Sequence, residues 1–509
     1  MPQPIQLTGE NLTAEVVWEV AVGRRTTALA RVARERMAAA RALVDGLHGE
    51  HTYGVNTGFG RFVSQHVPDE LAGELQLRLL RSHACGVGEP YPDDVVRAAM
   101  LLRANALAKG YSGAHITTVE LLLACLDAGL VPYVPARGSV GASGDLAPLA
   151  HLALVLVGEG EAWVDGRRLP GAEALAAVGL EPVELASKEG LSLINGTQFM
   201  TAMASLGVVR ARRLARTADI ACAQSLEALR GSLTSFIEPI HAARPLVGQG
   251  DSAANVRRLL EGSAIIESHR WCDKVQDAYS LRCAPQVHGA SRDLLDYVAR
   301  TVAVEVNAAT DNPLVLVDEG MVVSNGNFHG QPVAFALDAL VMAVAELASI
   351  SERRVERLVN PSLSDGLPPF LTVEGGLNSG FMILQYVAAA LVSENKSLAH
   401  PASVDSIPTS AGQEDHVSMG NAAGLKALQV LTNVEGVLAI ELLAGAQAVE
   451  FLAPLEPGRG VEAARAFVRT LSERLDDDRS LSADIERVAG SVRAGQVVAA
   501  VEAEVGALA

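Results

Sequence analysis

The sequence is short of positive charge. Its 41 lysines and arginines face 59 aspartates and glutamates, a formal balance of -18 over 509 residues. No basic stripe is available to displace counterions, which excludes a nucleic-acid partner. Cysteine is scarce as well. Cys85, Cys125, Cys222, Cys272 and Cys283 are scattered, odd in number and form no CxxC pair, so neither a disulfide framework nor a zinc knuckle is indicated. The opening Met1-Pro2-Gln3-Pro4 lacks the basic-then-apolar pattern of a signal peptide, and a cytoplasmic location is expected. Uninterrupted apolar runs are missing too. The two most apolar stretches, 332–350 and 430–452, carry Asp338 and Glu346, and Glu435, Glu441 and Glu450. Those acids make them poor membrane spans and better buried helices of a bundle or a subunit interface. With 49% hydrophobic and 20% charged residues the chain is not disordered. At this length it buries about 75% of its unfolded surface without help from metals or disulfides. A soluble globular protein is expected.

What is present reads mainly as helix. Ala, Leu, Glu and Arg dominate, and apolar residues recur at helical spacing. Runs 206–229, 333–358 and 381–398 predict helices of roughly five to seven turns. Ala464, Val468, Leu471 and Leu475 share one helix face; Leu481, Ile485 and Val488 repeat the pattern after Asp476-Asp477-Asp478. Strand signals are few. Asp165-Gly166 lies between Ala162-Trp163-Val164 and Arg168-Leu169, and residues 318–320 lie between 314–317 and 321–323, predicting two hairpins. The fold class is therefore all-α with a few short strands. Glycine and polar residues cluster in islands at 51–61, 82–89, 137–149, 188–198, 275–289, 324–331 and 400–419. Loops held by a rigid scaffold can carry function, and so many in one helical chain predict an enzyme whose site is assembled from distant segments.

The most informative island is Arg137-Gly138-Ser139-Val140-Gly141-Ala142-Ser143-Gly144-Asp145-Leu146. A P-loop needs a lysine after its last glycine, and none follows here; the dinucleotide pattern fails at Gly58-Phe59-Gly60 and at Gly158-Glu159-Gly160 for want of a third glycine. One remaining reading is a tight turn entering a helix at Asp145. Another is covalent. If the backbone is bent, the Gly144 nitrogen can attack the Ala142 carbonyl, and loss of water from the ring and from Ser143 leaves a methylidene-imidazolone electrophile. Gly144 has no Cβ to block approach, Ser143 supplies a leaving hydroxyl, and Ala142 is small.

That context, with six further motifs, resembles the aromatic amino-acid ammonia-lyases. The motifs are Tyr53-Gly54-Val55-Asn56-Thr57-Gly58-Phe59-Gly60, Ser82-His83-Ala84, Lys188-Glu189-Gly190 with Asn195-Gly196-Thr197-Gln198, Gln276-Asp277-Ala278-Tyr279-Ser280-Leu281-Arg282, Asn327-Phe328-His329-Gly330 and Gln413-Glu414-Asp415-His416. They run from about 52 to 419. The resemblance implies a long-helix bundle of the ammonia-lyase and fumarase type, although the Gly-Ser-Ser loop of the fumarase-type lyases is missing. It also implies an N-terminal domain at 1–200 bearing the electrophile loop and a central bundle with C-terminal helices at 201–509, in one catalytic unit. The family forms homotetramers with each site built from three subunits, and uses 4-methylidene-imidazol-5-one made from its own chain, with no external cofactor and no metal.

By the same resemblance Ala142, Ser143 and Gly144 form that group and Asp145 assists cyclisation. Tyr53 corresponds to the base, a phenol that needs neighbouring donors or positive charge to lower its usual pKa near 10. Arg282 corresponds to the residue binding the substrate carboxylate, where a guanidinium fork suits a planar anion. Asn195 and Gln276 correspond to hydrogen-bonding groups around the electrophile, Tyr279 to a second tyrosine near the reacting centre, and Phe328 to an aromatic that orients the electrophile. Ser82-His83 with Glu414 follows the pattern of members that act on histidine, where other members carry Phe-Leu or His-Leu. A carboxylate accepts an imidazole N–H or pairs with its cation. The implied reaction is deamination of L-histidine to trans-urocanate and ammonia, with a tyrosine ammonia-lyase or an aromatic 2,3-aminomutase as the alternative. His83, His329, His416 and Glu414 have no short metal-ligand spacing such as HExxH. Cys85, Gly412 and Gly420-Asn421 depart from the usual motifs, and Gly412 lies two positions from Glu414.

Overall fold

In the computed structural model the described residues are 3–47 and 52–509, so His51 of the first island lies outside them. The chain divides into two compact units. One holds Met1–Val209, Val298–Asp338 and Pro401–Ala427; the other holds Arg210–Tyr297, Ala339–His400 and Leu428–Ala509.

The predicted helical runs are present, the first two longer than predicted, as Gln198–Ala228 and Gln331–Val359, and the third as Met382–Leu398; a fourth long helix covers Gly420–Glu450. Two of them, Gln331–Val359 and Gly420–Glu450, are long and apolar enough to cross a membrane, yet 72% and 83% of their apolar windows are buried within the protein. They are core helices. Val430, Leu431, Val434, Val437 and Leu438 are fully buried, each stabilising the fold by about 1.5–3 kcal/mol relative to an exposed position. Asp338, Glu435, Glu441 and Glu450 inside these runs each meet a cation. Asp338 pairs with Lys426 at 3.0 Å, Glu435 with Arg210 at 2.8 Å and Glu450 with Arg469 at 2.8 Å.

In the first unit, three helices pack on one another: Ala72–His83, Leu146–Leu156 and Glu189–Ile194. Nine of the residues of Leu146–Leu156 are buried, and all of Glu189–Ile194 is, so neither has a solvated face and both are fixed by packing. Lys188 enters the last of these with a left-handed φ of 69° and is locked by a fully buried ion pair to Asp311 at 2.8 Å. Glu189 accepts from His115 N–H, Thr118 Oγ1 and Ala186 N–H at 2.8–2.9 Å. The Lys188-Glu189 motif is thus a scaffold.

Both predicted hairpins form. Glu161–Val164 pairs antiparallel with Arg167–Pro170 across Asp165 and Gly166, whose positive φ values of 49° and 75° suit a primed two-residue turn. Leu314–Leu316 pairs with Met321–Val323. Short ladders the patterning does not predict also form: Ile5–Leu7 runs parallel to Thr27–Leu29, Val87–Pro90 pairs with Pro135–Arg137, and Val131–Pro132 joins Glu161–Val164. Runs of two to four residues are too brief for a period of two to show.

In the second unit, Val461, Ala464 and Val468 form the buried face of Arg459–Leu471. Leu475 is buried too, beyond the end of that helix. Asp219, Glu441 and Arg354 of this unit are fully buried. Asp219 accepts from Ser252, Asn255, His288 and Arg292 at 2.6–2.8 Å. Glu441 accepts from Ser225, Ser351 and both Nε and Nη2 of Arg354 at 2.5–2.8 Å.

Candidate active site

The packing of three helices in the first unit brings three helix ends together. His83 is the last residue of Ala72–His83, Asp145 directly precedes Leu146–Leu156, and Asn195 directly follows Glu189–Ile194. The short 3-10 turns Gly60–Phe62 and Ser410–Gly412 also touch each other. A cavity of about 780 Å³ opens where these meet, lined by Tyr53, His83, Ser143, Asn195 and Glu414 among others. Five distant islands therefore share one space.

The loop around Ser143 is held bent. Ser139 Oγ accepts from Gly141 N–H at 3.1 Å and lies 3.3 Å from the Gly144 carbonyl and 3.1 Å from Asp145 Oδ1. Gly144 has φ 73°, and a Cβ there would lie 2.1 Å from the Gly196 carbonyl oxygen, so only glycine fits. The same carbonyl accepts from Asp145 N–H at 2.7 Å. Asp145 occupies the cap position of its helix without capping it. Its carboxylate instead accepts from Met200 N–H at 2.9 Å and from Ser139. Burial pushes this carboxyl up to about 7, against those hydrogen bonds and with a further push from Glu305. Ser143 itself is half-buried at the cavity wall, and Ala142 is buried behind it.

Asn195 donates Nδ2 to the Asn312 carbonyl at 2.8 Å, while its buried Oδ1 has no partner. Arg103 supports the turn from beneath, donating to the Asn195 carbonyl and to Gln198 Oε1 at 2.8 and 2.9 Å. On the other side of the cavity, His83 Nδ1 meets the Leu79 carbonyl at 2.9 Å. A carbonyl only accepts, so Nδ1 carries the hydrogen and Nε2 is left as an acceptor. Burial pushes the His83 pKa down, resisted by that hydrogen bond and by Glu414. Glu414 Oε2 accepts from Thr409 Oγ1 at 2.6 Å.

Tyr53 stands edge-on to Phe59, ring centres 6.1 Å apart. Burial pushes its phenol up, a Gly60 backbone hydrogen bond opposes this, and the Glu414 and Asp311 carboxylates add to the rise. This unit by itself makes Tyr53 a weaker acid, first through burial and then through the two nearby carboxylates.

The second unit holds Gln276, Tyr279 and Arg282, which are not among the residues lining the cavity. They form a group of their own. Arg282 Nη2 donates to Gln276 Oε1 at 2.9 Å, and the guanidinium carbon lies 4.6 Å over the Tyr279 ring. Tyr279 is 71% exposed. Phe328 is half-buried in the first unit and is likewise not in the lining. His329 and His416 stack with ring centres 5.9 Å apart, and among the described residues no group of three or more His, Cys, Asp or Glu side chains is placed to hold a metal ion. Sequence reasoning missed the apolar wall made by Phe62, Leu79, Leu191 and Ile194. For Leu79 a signal existed: it lies one helical turn before His83.

A family model described as aromatic amino acid lyase matches residues 12–470. The chain belongs to that family. Among aromatic amino acid lyases it is 55% identical to a histidine ammonia-lyase of Gloeobacter violaceus over 504 residues, covering 99% of this chain and 98% of that one. A crystal structure of histidine ammonia-lyase from Trypanosoma cruzi superimposes with TM-score 0.92 at 45% identity, covering 99% and 96%. A tyrosine aminomutase from Streptomyces globisporus superimposes with TM-score 0.93 at 39% identity over the whole of both chains. The all-α bundle of the aromatic amino acid lyases is thus this chain's fold.

Proposed function

We propose that this carbon–nitrogen lyase is a histidine ammonia-lyase, converting L-histidine to trans-urocanate and ammonia in the cytoplasm. The observation that carries the reading is the cavity in which Ser143, Tyr53, Asn195, His83 and Glu414 face one space. The names of the relatives at 50–58% identity support the substrate. Free thiols at all five cysteines support a reducing compartment.

Ala142, Ser143 and Gly144 fit a 4-methylidene-imidazol-5-one. Gly144 is pressed against Gly196 with no room for a Cβ, Ser139 holds the loop bent, and the unpartnered Asn195 Oδ1 is a polar atom available to it. When formed, the group supplies an electrophilic carbon that takes up the substrate amine and makes it a better leaving group. Asp145, buried and close to neutral pH in its titration, assists the cyclisation by holding a proton beside Gly144.

Tyr53 Oη removes the β-proton. His83 Nε2 and the Glu414 carboxylate receive the imidazole ring, accepting its N–H or pairing with its cation, whereas the apolar wall alone would suit phenylalanine. Arg282 and Gln276 hold the substrate carboxylate, with Tyr279 beside the reacting centre and Phe328 behind the electrophile. Burial and two carboxylates make Tyr53 a weaker acid, while Arg61 and Arg78 line the same cavity and bring positive charge to it. The family's assembly, a homotetramer with shared sites, is the reading for this protein too, with Arg282 brought to the cavity by a second copy. The uncovered Trp271 and Val275, near nine-tenths exposed, and the exposed Ile383 and Tyr386 of Met382–Leu398 support such contacts. The unit that bears the electrophile loop is continuous through Val209 and also takes in Val298–Asp338 and Pro401–Ala427.

The test is the ultraviolet change on mixing the protein with L-histidine, L-tyrosine or L-phenylalanine, with Ser143→Ala as control. Urocanate from histidine alone, absent in the control, is expected. Coumarate or a β-amino acid from tyrosine would overturn the assignment of His83 and Glu414 while keeping the electrophile. A monomer in light scattering would overturn the shared site.

A further inference from the structure

Gln276 and Tyr279 are exposed and Arg282 is half-buried, with Leu281 packed beneath them, so polar contacts must set how the guanidinium is aimed. Arg282 uses two of its N–H groups within the segment: Nε donates to the Asp277 carbonyl at 3.0 Å and Nη2 to Gln276 Oε1 at 2.9 Å. Among the described residues Nη1 has no partner, which leaves the Nη1 and Nη2 edge open to a planar anion. The Nε contact is to backbone, so the aim of the guanidinium follows the position of residue 277.

Within 276–282 the buried side chains are Leu281 and Asp277, and Asp277 is the one that is charged. Its Oδ2 accepts from Ser232 N–H at 2.6 Å, and its Oδ1 lies 3.7 Å from Lys274 Nζ. Lys274 Nζ in turn donates to the Leu229 and Arg230 carbonyls, both at 3.2 Å, just past the end of Gln198–Ala228, and reaches Asp365 Oδ2 at 3.4 Å. Carbonyls at a helix C-terminus are unsatisfied and partly negative, and favour a cation. The carboxylate-binding segment is therefore tied by one acid and one lysine to the end of a long core helix.

We propose that Asp277, with Lys274 as its anchor, is a positioning residue that fixes the Arg282 guanidinium for the substrate carboxylate. The inference rests on the reading of Arg282 given above. A misplacement of about 1 Å in such a clamp costs as much as a hundredfold in rate or binding, while groups that grip the imidazole or the amine are untouched. The loss should therefore follow the carboxylate and nothing else.

The probe is L-histidinol, the same amino-imidazole with an alcohol in place of the carboxylate, used as a competitive inhibitor beside L-histidine as substrate. In Asp277→Asn and Lys274→Gln the KM for histidine is expected to rise about tenfold, with kcat within about twofold. The inhibition constant for histidinol is expected to stay put, and Asp277→Glu to recover part of the loss. Equal weakening toward both ligands would overturn the proposal, as would no change in either variant while Arg282→Lys separates the two ligands. Arg282→Lys treating both ligands alike would instead overturn the reading of Arg282. Should Asp277→Asn not fold, Lys274→Gln decides alone: that side chain is 32% exposed, and its loss leaves the core intact.

Discussion

Two buried carboxylates in this molecule have opposite fates. Asp219, in the second unit, is fully buried, which alone would raise its pKa. Arg292 and the His288 hydrogen bond outweigh burial and hold it well below the usual carboxylate range. Asp145, in the first unit, is as deeply buried and has only backbone N–H groups and a serine hydroxyl as partners. Burial wins there and lifts it to about 7. The difference lies in the company, since a buried charge is stable only when a counter-charge and hydrogen bonds replace water. In one unit the fold completes that replacement. Beside Ser143 it withholds the cation, leaving a group that can hold or release a proton near neutral pH.

The sharpest way to break the comparison is at its reactive end. Ser143→Ala should lower turnover by at least about a thousandfold, with melting unchanged, because the side chain is half-buried at the cavity wall. Intact mass adds a second readout: two waters are missing from the active chain and none from the variant. Retained turnover would reduce the loop to a turn. At the satisfied end, Glu441→Gln leaves Arg354 buried without its counter-charge and should cost about 3–5 kcal/mol in denaturant unfolding. Replacing both partners, Arg354→Met with Glu441→Leu, should recover much of that. A double variant as unstable as the single one would mean the hydrogen bonds to Ser225 and Ser351 matter more than the charge.

Tyr53→Phe is the third step down, about a hundredfold in kcat with KM little changed. Near-normal turnover would end its role as base. Its environment marks what the sequence could and could not convey. The Ala142-Ser143-Gly144 loop stood out through its ten-residue context and the family motifs around it, and the long helices because their apolar faces repeat every 3.6 residues. The electrostatics were not. Nothing in Tyr53-Gly54-Val55 announces that Glu414 and Asp311 lie near the phenol, and Asp145 looks like a helix cap until Met200 N–H is seen to hold it. Isolated charges on long helices, such as Asp219 and Arg354, read as solvated positions until packing encloses them. Short ladders such as Val87–Pro90 with Pro135–Arg137 were invisible for want of length.

The smallest effect tests the comparison most directly. Asp145 titrates near 7 when folded and near 3.8 when unfolded. Between those values the folded protein keeps a proton the unfolded chain has lost, so raising the pH through that window erodes stability, and the loss is complete above about 7. Asp145→Asn cannot ionise. Its amide oxygen can still accept from Met200 N–H, and its amide nitrogen can donate to Ser139 Oγ, so no hydrogen bond is sacrificed. The variant should then be more stable than the parent at pH 8, on the order of 2 kcal/mol, with the gain shrinking as the pH falls toward 5, while urocanate formation drops because cyclisation loses its proton carrier. The matching change at Asp219 should go the other way: Asp219→Asn gives up pairing with Arg292 and His288, and is less stable at every pH where the parent carboxylate is ionised. Denaturant unfolding of the two variants across pH 5–8 decides the matter. Curves of the same sign would show that burial alone, without the cation, governs both sites.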